Sequence, residues 1–466
     1  MRRLFVLTLL AGAVPALAQN IDWPKVNDEA MRHFQGLVRI DSTNPPGNET
    51  KVAEYVKKVL ETEGIQVTLA AKDPARANVI ARIKGNGSKR PLLIVGHSDT
   101  VKVDASKWTS FGPFSAERNG GWVYGRGTLD DKSNLFAAMM TMVLLKRTNA
   151  RLDRDVIFLS EVGEEASTGP GIEYVVSDHW SEIDAEIALA EAGGVTRRGG
   201  KAVFATIETT EKQPKGTMLI SRGPSGHGSR PMRGNAIAHL SGAIAKIAQW
   251  DPPMKLNDTT RTYFEKLAQI SGPVEAQRFR DLLDPAKSAA ARQYLAENEP
   301  LWYSMLHTSV SPNIINGGFQ SNVIPSEATA TLDVRALPGE NMDEFYALMK
   351  KVINDPQVEI VANNTNARPN AAPSSITSDA YKTLEAAFQQ VYKVPVLPLM
   401  QTGATDMAFL RAKGVQCYGI GAMTDEEDIL KGFAAHSDLE RILEEAVYKH
   451  LELYWRAVTG IAGAKF

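Results

Sequence analysis

The 466-residue chain reads as an α/β protein, a mostly parallel, helix-covered sheet interrupted by an inserted α+β domain. Three observations carry that reading. Short continuous apolar runs, bounded by Gly and Pro, alternate with helical patterns up to about residue 211. From 212 to 364 the runs become half-polar and alternate in steps of two. From 365 the first pattern returns, so the large domain is built from 19–211 and 365–466 around the insertion.

The chain begins with Met1-Arg2-Arg3, an apolar run over 4–14, and the small-x-small triplet Ala16-Leu17-Ala18. This is the pattern of a secretory signal peptide over 1–18. The run is shorter than the roughly 20 residues a spanning helix needs. The expectation is an exported product, periplasmic or secreted, with no stable membrane insertion after cleavage. Next, Val52, Val56, Val59 and Leu60 recur at helical spacing over 50–63, and Gly64 can close that helix. P-L-L-I-V-G (91–96) reads as a buried strand. Residues 132–147 are apolar on nearly all sides, which suits a buried helix. V-I-F-L-S (156–160) and E-I-A-L-A (186–190) are further buried strands.

In the insertion, 215–222 reads as a half-exposed strand. Ala236, Ile237, Leu240, Ile244 and Ile247 make a helical stripe, and 327–335 is an alternating strand. A helix over 341–353 and a strand over 357–362 follow. The order strand, helix, strand, strand, helix, strand predicts a ferredoxin-like lid with an antiparallel sheet. A polar, helical extension lies at about 251–306. The last part carries a helix over 378–392, a strand over 415–420 and a long helix over 438–457.

Composition narrows the function. With 43% hydrophobic and 23% charged residues, the chain is not disordered. A net charge of -2 offers no basic field for nucleic acid. The single cysteine, Cys417, excludes a disulfide framework and a thiolate zinc site, and its place in an apolar strand makes it a buried thiol. Any metal must therefore be held by carboxylates and by some of eight histidines.

Such residues gather where predicted strands end or helices begin. His97-Ser-Asp99 follows the strand at 91–96, Glu164-Glu165 the strand at 156–160, and Glu191 the strand at 186–190. Asp130-Asp131 opens the buried helix, and His436 precedes the last one. Open α/β sheets bind ligands outside the carboxyl ends of their strands, so these clusters should converge. Crowded carboxylates resist ionisation unless a cation neutralises them. His97, Asp130, Glu165, Glu191 and His436 supply two imidazoles and three carboxylates, which suits two zinc-like ions sharing one carboxylate. Asp99 can orient His97, and Glu164 can take a proton from a bound water. A lone His-x-Asp or Glu-Glu pair is better explained as a surface pair or cap; the convergence of all of them is what favours a metal site. His33, His179, His239, His307 and His450 lie outside the acidic motifs and read as structural or surface groups.

The motifs G-H-S-D-T (96–100), G-R-G-T-L-D-D-K (125–132), E-V-G-E-E-A-S-T-G (161–169), A-E-A-G-G (190–194), G-P-S-G-H-G-S-R-P (223–231), S-N-V-I-P (321–325), D-V-R-A-L-P-G (333–339), T-G-A-T-D (402–406) and A-H-S-D (435–438) occur in that order. With them the chain resembles the co-catalytic zinc metallopeptidase family of aminoacylase, glutamate carboxypeptidase, acetylornithine deacetylase and succinyl-diaminopimelate desuccinylase. The resemblance implies a zinc exopeptidase-like fold and two Zn2+ ions, with Co2+ or Mn2+ able to substitute. One ion would take His97, Asp130 and Glu191, and the other Asp130, Glu165 and His436. Asp130 would bridge, with a cis peptide to Asp131, and Glu164 would be general base toward a bridging water.

In the insertion, the resemblance implies that His227, between Gly226 and Gly228, stabilises the oxyanion. In dimeric relatives this histidine reaches the partner's site, so a homodimer is one arrangement it allows. Arg335 and Asn322 would hold a substrate carboxylate, and Gly403 and Thr405 would add backbone contacts. The expected function is a carboxypeptidase or dipeptidase cutting an amide next to a free carboxylate. An N-acyl amino acid hydrolase is the alternative, and a non-catalytic exported binding protein a remote one.

Overall fold

The computed structural model describes residues 21–363 and 368–466; the expected signal peptide over 1–18 lies outside them. Among the described residues, ten strands form the larger sheet. Its centre is parallel: strands Val156–Glu161, Leu92–His97, Ile187–Ala190 and Gln416–Gly419 lie side by side in that order. Antiparallel pairs flank it, among them Val67–Asp73 with Arg76–Ile83, and Gly194–Arg198 with Lys201–Glu211.

The continuous apolar runs follow from burial on both faces. Along Leu92–His97, Leu92 and Ile94 join the core beneath helices Lys132–Arg147 and Glu444–Ile461. Leu93 and Val95 join the opposite core, with Ile172, Val175 and Leu410. Successive side chains of a strand point to opposite faces, so a strand covered twice has no polar position to spare. Helix Lys132–Arg147 is buried from Lys132 to Leu145, as its all-round apolar pattern predicts. It packs so close to the strand that a Cβ on Gly96 would lie 2.6 Å from Leu135 Cα. Only glycine allows that approach, one residue before His97.

The smaller sheet is antiparallel throughout. Strand Glu327–Ala336 pairs with Ser309–Gly317 on one side and Thr217–Arg222 on the other, and Val358–Ala362 lies beyond Thr217–Arg222. Helices Ala236–Ala248 and Met342–Ile353 cover one face and share a core with Leu219, Leu332 and Val334. With its helices, this is the strand order of the expected ferredoxin-like unit.

The extension is helical, as expected, with helices Asp258–Ile270, Pro273–Leu283, Ser288–Asn298 and Pro300–Ser304. Its core is shared with the large sheet: Phe264, Phe279 and Leu295 cluster with Leu397 and Met400 of strand Val396–Gln401. Thr259 bonds Thr209 at 2.8 Å, and Lys266 donates to Val396 O at 2.9 Å. The extension therefore bolts the insertion to the large sheet.

One element departs from expectation. The helix expected over 438–457 starts only at Glu444, because Arg441–Leu443 is a strand paired with Trp122–Tyr124. The Arg441 guanidinium stacks 3.7 Å from the Phe433 ring and 4.3 Å from the Trp122 ring, and it pairs with Asp428. Those cation–π contacts hold the segment extended. No helix among the described residues is long and apolar enough to cross a membrane.

Candidate active site

The four central parallel strands end on one rim, and that rim carries the acids and histidines. His97 closes its strand, Glu164 and Glu165 follow Val156–Glu161, and Glu191 follows Ile187–Ala190. Asp130 sits two residues before helix Lys132–Arg147. The backbone packs tightly here too: a Cβ on Gly419 would lie 2.2 Å from Glu191 O.

The donor atoms form two sets, His97 with Asp130 and Glu191, and Asp130 with Glu165 and His436, each within 4.8 Å of one another. His97 Nε2 lies 2.9 Å from Asp130 Oδ1 and 3.9 Å from Glu191 Oε2. His436 Nε2 lies 3.1 Å from both Asp130 Oδ2 and Glu165 Oε1. Donors about 2.1 Å from a tetrahedral ion stand roughly 3.4 Å apart, so these spacings fit. Each Asp130 oxygen faces a different histidine, the arrangement a bridging carboxylate needs. The donor set is nitrogen and oxygen only, which suits zinc, cobalt or manganese. The Asp130–Asp131 peptide is cis, as the resemblance implies.

Charge in the site asks for a cation. Burial, reinforced by Glu164, pushes the Glu191 carboxyl well above the usual range. Burial and the neighbouring Asp406 raise Glu164 to about 8, against the opposing pull of His97 and Arg368. Hydrogen bonds donated to Asp130 and Glu165 raise His436 to about 10. A cation bound among these groups would offset that crowding.

Asp99 is fully buried and does more than orient a histidine. The His97 Nδ1 lies 3.1 Å from the Asp99 backbone carbonyl and 3.4 Å from its carboxylate. That carboxylate also accepts from Glu164 N at 3.2 Å, Glu165 N at 3.1 Å and Asn44 Nδ2 at 2.8 Å. Burial alone would raise its pKa, but the His97 bond and charge outweigh it and the net shift is downward. One carboxylate thus fixes both the imidazole and the loop carrying two expected site acids.

Other organising residues carry no role in the sequence reading. Buried Arg126 and Glu440 pair at 2.7 Å. Glu440 accepts from Leu129 N at 2.8 Å, and Arg126 reaches His436 O at 3.3 Å. The pair ties the loop of Asp130 to the loop of His436, whose backbone is left-handed at φ 63. Arg368 donates to Glu164 at 2.7 Å and to Asp406 at 2.5 Å. Arg126 and Asp406 lie inside recognised motifs; Arg368 and Glu440 lie outside them, and their pairings span 204 and 314 residues.

A cavity of about 400 Å³ joins the two sheets, lined by Glu164, Glu165, Thr168, Asp333, Arg335 and Arg368 among others. Arg335, near the end of its strand, is held by Asp333 at 2.8 Å and faces this space. Gly403 is half-buried near the cavity's Ala404. Thr405 is turned inward: its N–H donates to Glu211 at 3.2 Å and its hydroxyl at 2.6 Å. Its backbone is thereby spent on the core, contrary to the expected substrate contact. His227, in the separate two-stranded sheet of Gly226–His227 and Val323–Ile324, and the adjoining Asn322 are exposed, and neither lines the cavity of its own chain. The His227 Nδ1 bonds Ser229.

The remaining histidines have local partners. His450 bonds Asn134 at 2.7 Å, His239 bonds Asp355 at 2.6 Å, and His307 meets the Tyr303 ring edge-on. Cys417 is buried, and burial pushes its thiol up to about 12.

Comparison with known proteins agrees with this geometry. Residues 93–459 match the model of peptidase family M20/M25/M40. The human N-fatty-acyl-amino acid synthase/hydrolase PM20D1 is 26% identical over 393 residues, 82% of this chain and 77% of that one. A probable carboxypeptidase S-like 2 of Dictyostelium discoideum is 28% identical, over 68% of this chain and 62% of its own length. The M20 family metallo-carboxypeptidase Sso-CP2 of Sulfolobus solfataricus has the same fold, with a TM-score of 0.68 at 21% identity, covering 92% of this chain and 98% of that one.

Proposed function

The chain belongs to peptidase family M20/M25/M40, and from that premise we propose that it is a di-zinc exopeptidase that works after export. It hydrolyses an amide next to a free carboxylate, as a carboxypeptidase or dipeptidase does. One observation carries the reading: the two ligand sets share Asp130 beside a cavity that Arg335 also lines. A pair of metals with an arginine across the space is what a substrate with a carbonyl and a nearby carboxylate requires.

Bound zinc supplies Lewis-acid polarisation of the carbonyl and a water acidic enough to ionise near neutral pH. The chain's own residues do the rest. Glu164 accepts the proton of the attacking water and returns it to the leaving amine. Arg335, held by Asp333 through its Nε and Nη2, grips the free carboxylate with its remaining guanidinium N–H groups. The exposure of His227 and Asn322, away from the cavity of their own chain, supports a homodimer in which His227 of the partner subunit completes the oxyanion site. The pattern over 1–18 supports export to a periplasm or beyond.

The second reading is N-acyl amino acid hydrolysis. It is favoured by the similarity to PM20D1 over most of the chain, and its product side carries the same free carboxylate. A mass-spectrometric screen of purified protein against dipeptides and N-acyl amino acids, with zinc, cobalt or manganese, separates the two. Cleavage of dipeptides with free C-termini supports the first reading, and cleavage of acyl amino acids alone supports the second. Turnover that persists after complete metal removal would sink both.

A further inference from the structure

Arg368 has no part in the motifs, yet it stands between two carboxylates at the cavity wall. Its Nη2 donates to Glu164 Oε1 at 2.7 Å and its Nη1 to Asp406 Oδ1 at 2.5 Å. All three side chains are shielded, at 12%, 11% and 3% exposure for Arg368, Glu164 and Asp406.

Asp406 breaks a local rule to do this. It is the N-cap residue of helix Met407–Ala412, where an aspartate ordinarily accepts a helix N–H. Its side chain makes no capping bond; the Thr405 hydroxyl accepts from Met407 N instead. The freed carboxylate goes to the guanidinium. Sequences depart from local preference where function asks for it.

We propose that Arg368 is a positioning residue for hydrolysis: a guanidinium strut, seated on Asp406, that fixes the carboxylate of Glu164 in the cavity. A glutamate reaches its target through three rotatable bonds, and an unrestrained one spends little time in the productive geometry. The loop backbone of Glu164 is already pinned by Asp99. Arg368 pins the other end. The planar fork of arginine suits the task, since it meets two carboxylates along fixed directions where a lysine ammonium offers a point charge.

The inference rests on Glu164 as general base, and the test keeps the two apart. Arg368→Met, Arg368→Lys and Glu164→Ala are compared in the zinc-loaded full chain, on a dipeptide or acyl amino acid that the unaltered protein cleaves. Metal content and thermal melting are measured alongside. Arg368→Met should lower kcat about 100-fold with KM within about threefold and keep two metals per chain, melting lower but remaining folded at the assay temperature. Arg368→Lys should recover only part of kcat. Guanidinium at tens of millimolar should raise the rate of Arg368→Ala and leave Glu164→Ala dead.

Unchanged kinetics in Arg368→Met overturns the proposal. So does a rise in KM with kcat retained, which would make Arg368 a substrate clamp, or loss of metal, which would make it structural. If Arg368→Met does not fold, the kcat and KM of Arg368→Lys decide by the same criteria. An active Glu164→Ala would fell the base assignment itself. An inactive Glu164→Ala beside a fully active Arg368→Met would fell this inference alone.

Discussion

On the rim of the large sheet, most of the site groups are tied to a neighbour. Asp99 holds His97 and two backbone N–H groups, Glu440 holds the loop of Asp130, and Arg368 holds Glu164. On the open surface of the insertion, His227 bonds its neighbour Ser229 and Asn322 stands exposed. The first region is assembled by burial before any ligand arrives. The second presents its groups outward, as a surface does when another body completes it. Preorganisation is concentrated where charge must be held, since buried carboxylates without partners are the costliest groups to leave loose.

The largest effect should come from the rim. Glu164→Ala should cut kcat by about 10³-fold or more while two metals per chain remain. Measured by metal analysis beside steady-state rates, a fall in both would show that the residue holds metal and would blur the division between base and ligands. The surface half of the comparison is tested by mixing. His227→Ala should be nearly inactive alone. Mixed equally with Glu164→Ala and re-equilibrated, it should regain about a quarter of the unaltered rate, because half of the dimers are mixed and each has one intact site. Absence of recovery, with subunit exchange verified, would place His227 in its own chain's site or outside the reaction.

Arg335 stands between the two regions. Its replacement by Ala should raise KM about 10- to 100-fold with a smaller change in kcat, the loss expected of a charge-assisted pair. Substrates whose carboxylate is amidated should lose the same factor with the unaltered protein and nothing further with the variant. Behind the rim, Glu440→Gln keeps an acceptor for Leu129 N but removes the charge that pairs with Arg126. Metal affinity, read by competition with a chelating dye, should fall about 10-fold or more. An unchanged affinity would show that the two ligand loops need no tie.

How much of this could be read from residues alone follows the same division. His97, Glu164 and Glu191 were legible because continuous apolar strands end directly before them, and a strand buried on both faces leaves a plain signal. Arg368 and Glu440 were not legible. Their partners lie from 38 to 314 residues away, and an ion pair closed by tertiary folding imposes no spacing on either partner. The extension was read as helical, but not its docking on Leu397 and Met400, because an amphipathic helix does not name the surface it covers. Arg441–Leu443 was absorbed into a helix since its extended form depends on rings at Trp122 and Phe433.

The smallest effect probes the region where insertion and extension meet. His307 is 2% exposed, and its Nδ1 has no hydrogen-bond partner among the described residues. Burial, helped by Lys212 and Arg292 and opposed by Asp251, lowers its pKa to about 4. Its folded pKa therefore lies below the unfolded value of about 6.5. Above that value the ring is neutral in both states and contributes no pH dependence. As pH falls from 6.5 toward 4, the unfolded chain binds a proton that the folded chain refuses, so stability is lost across that window. At pH 5.5 the loss is about 1 kcal/mol. His307→Phe keeps a ring against Tyr303 and removes the titration. Denaturant unfolding of unaltered and variant protein at pH 7.5 and 5.5 should give a smaller acid loss in the variant by that amount. Equal losses would mean that water reaches the ring, and that this seam is as open as the surface around His227.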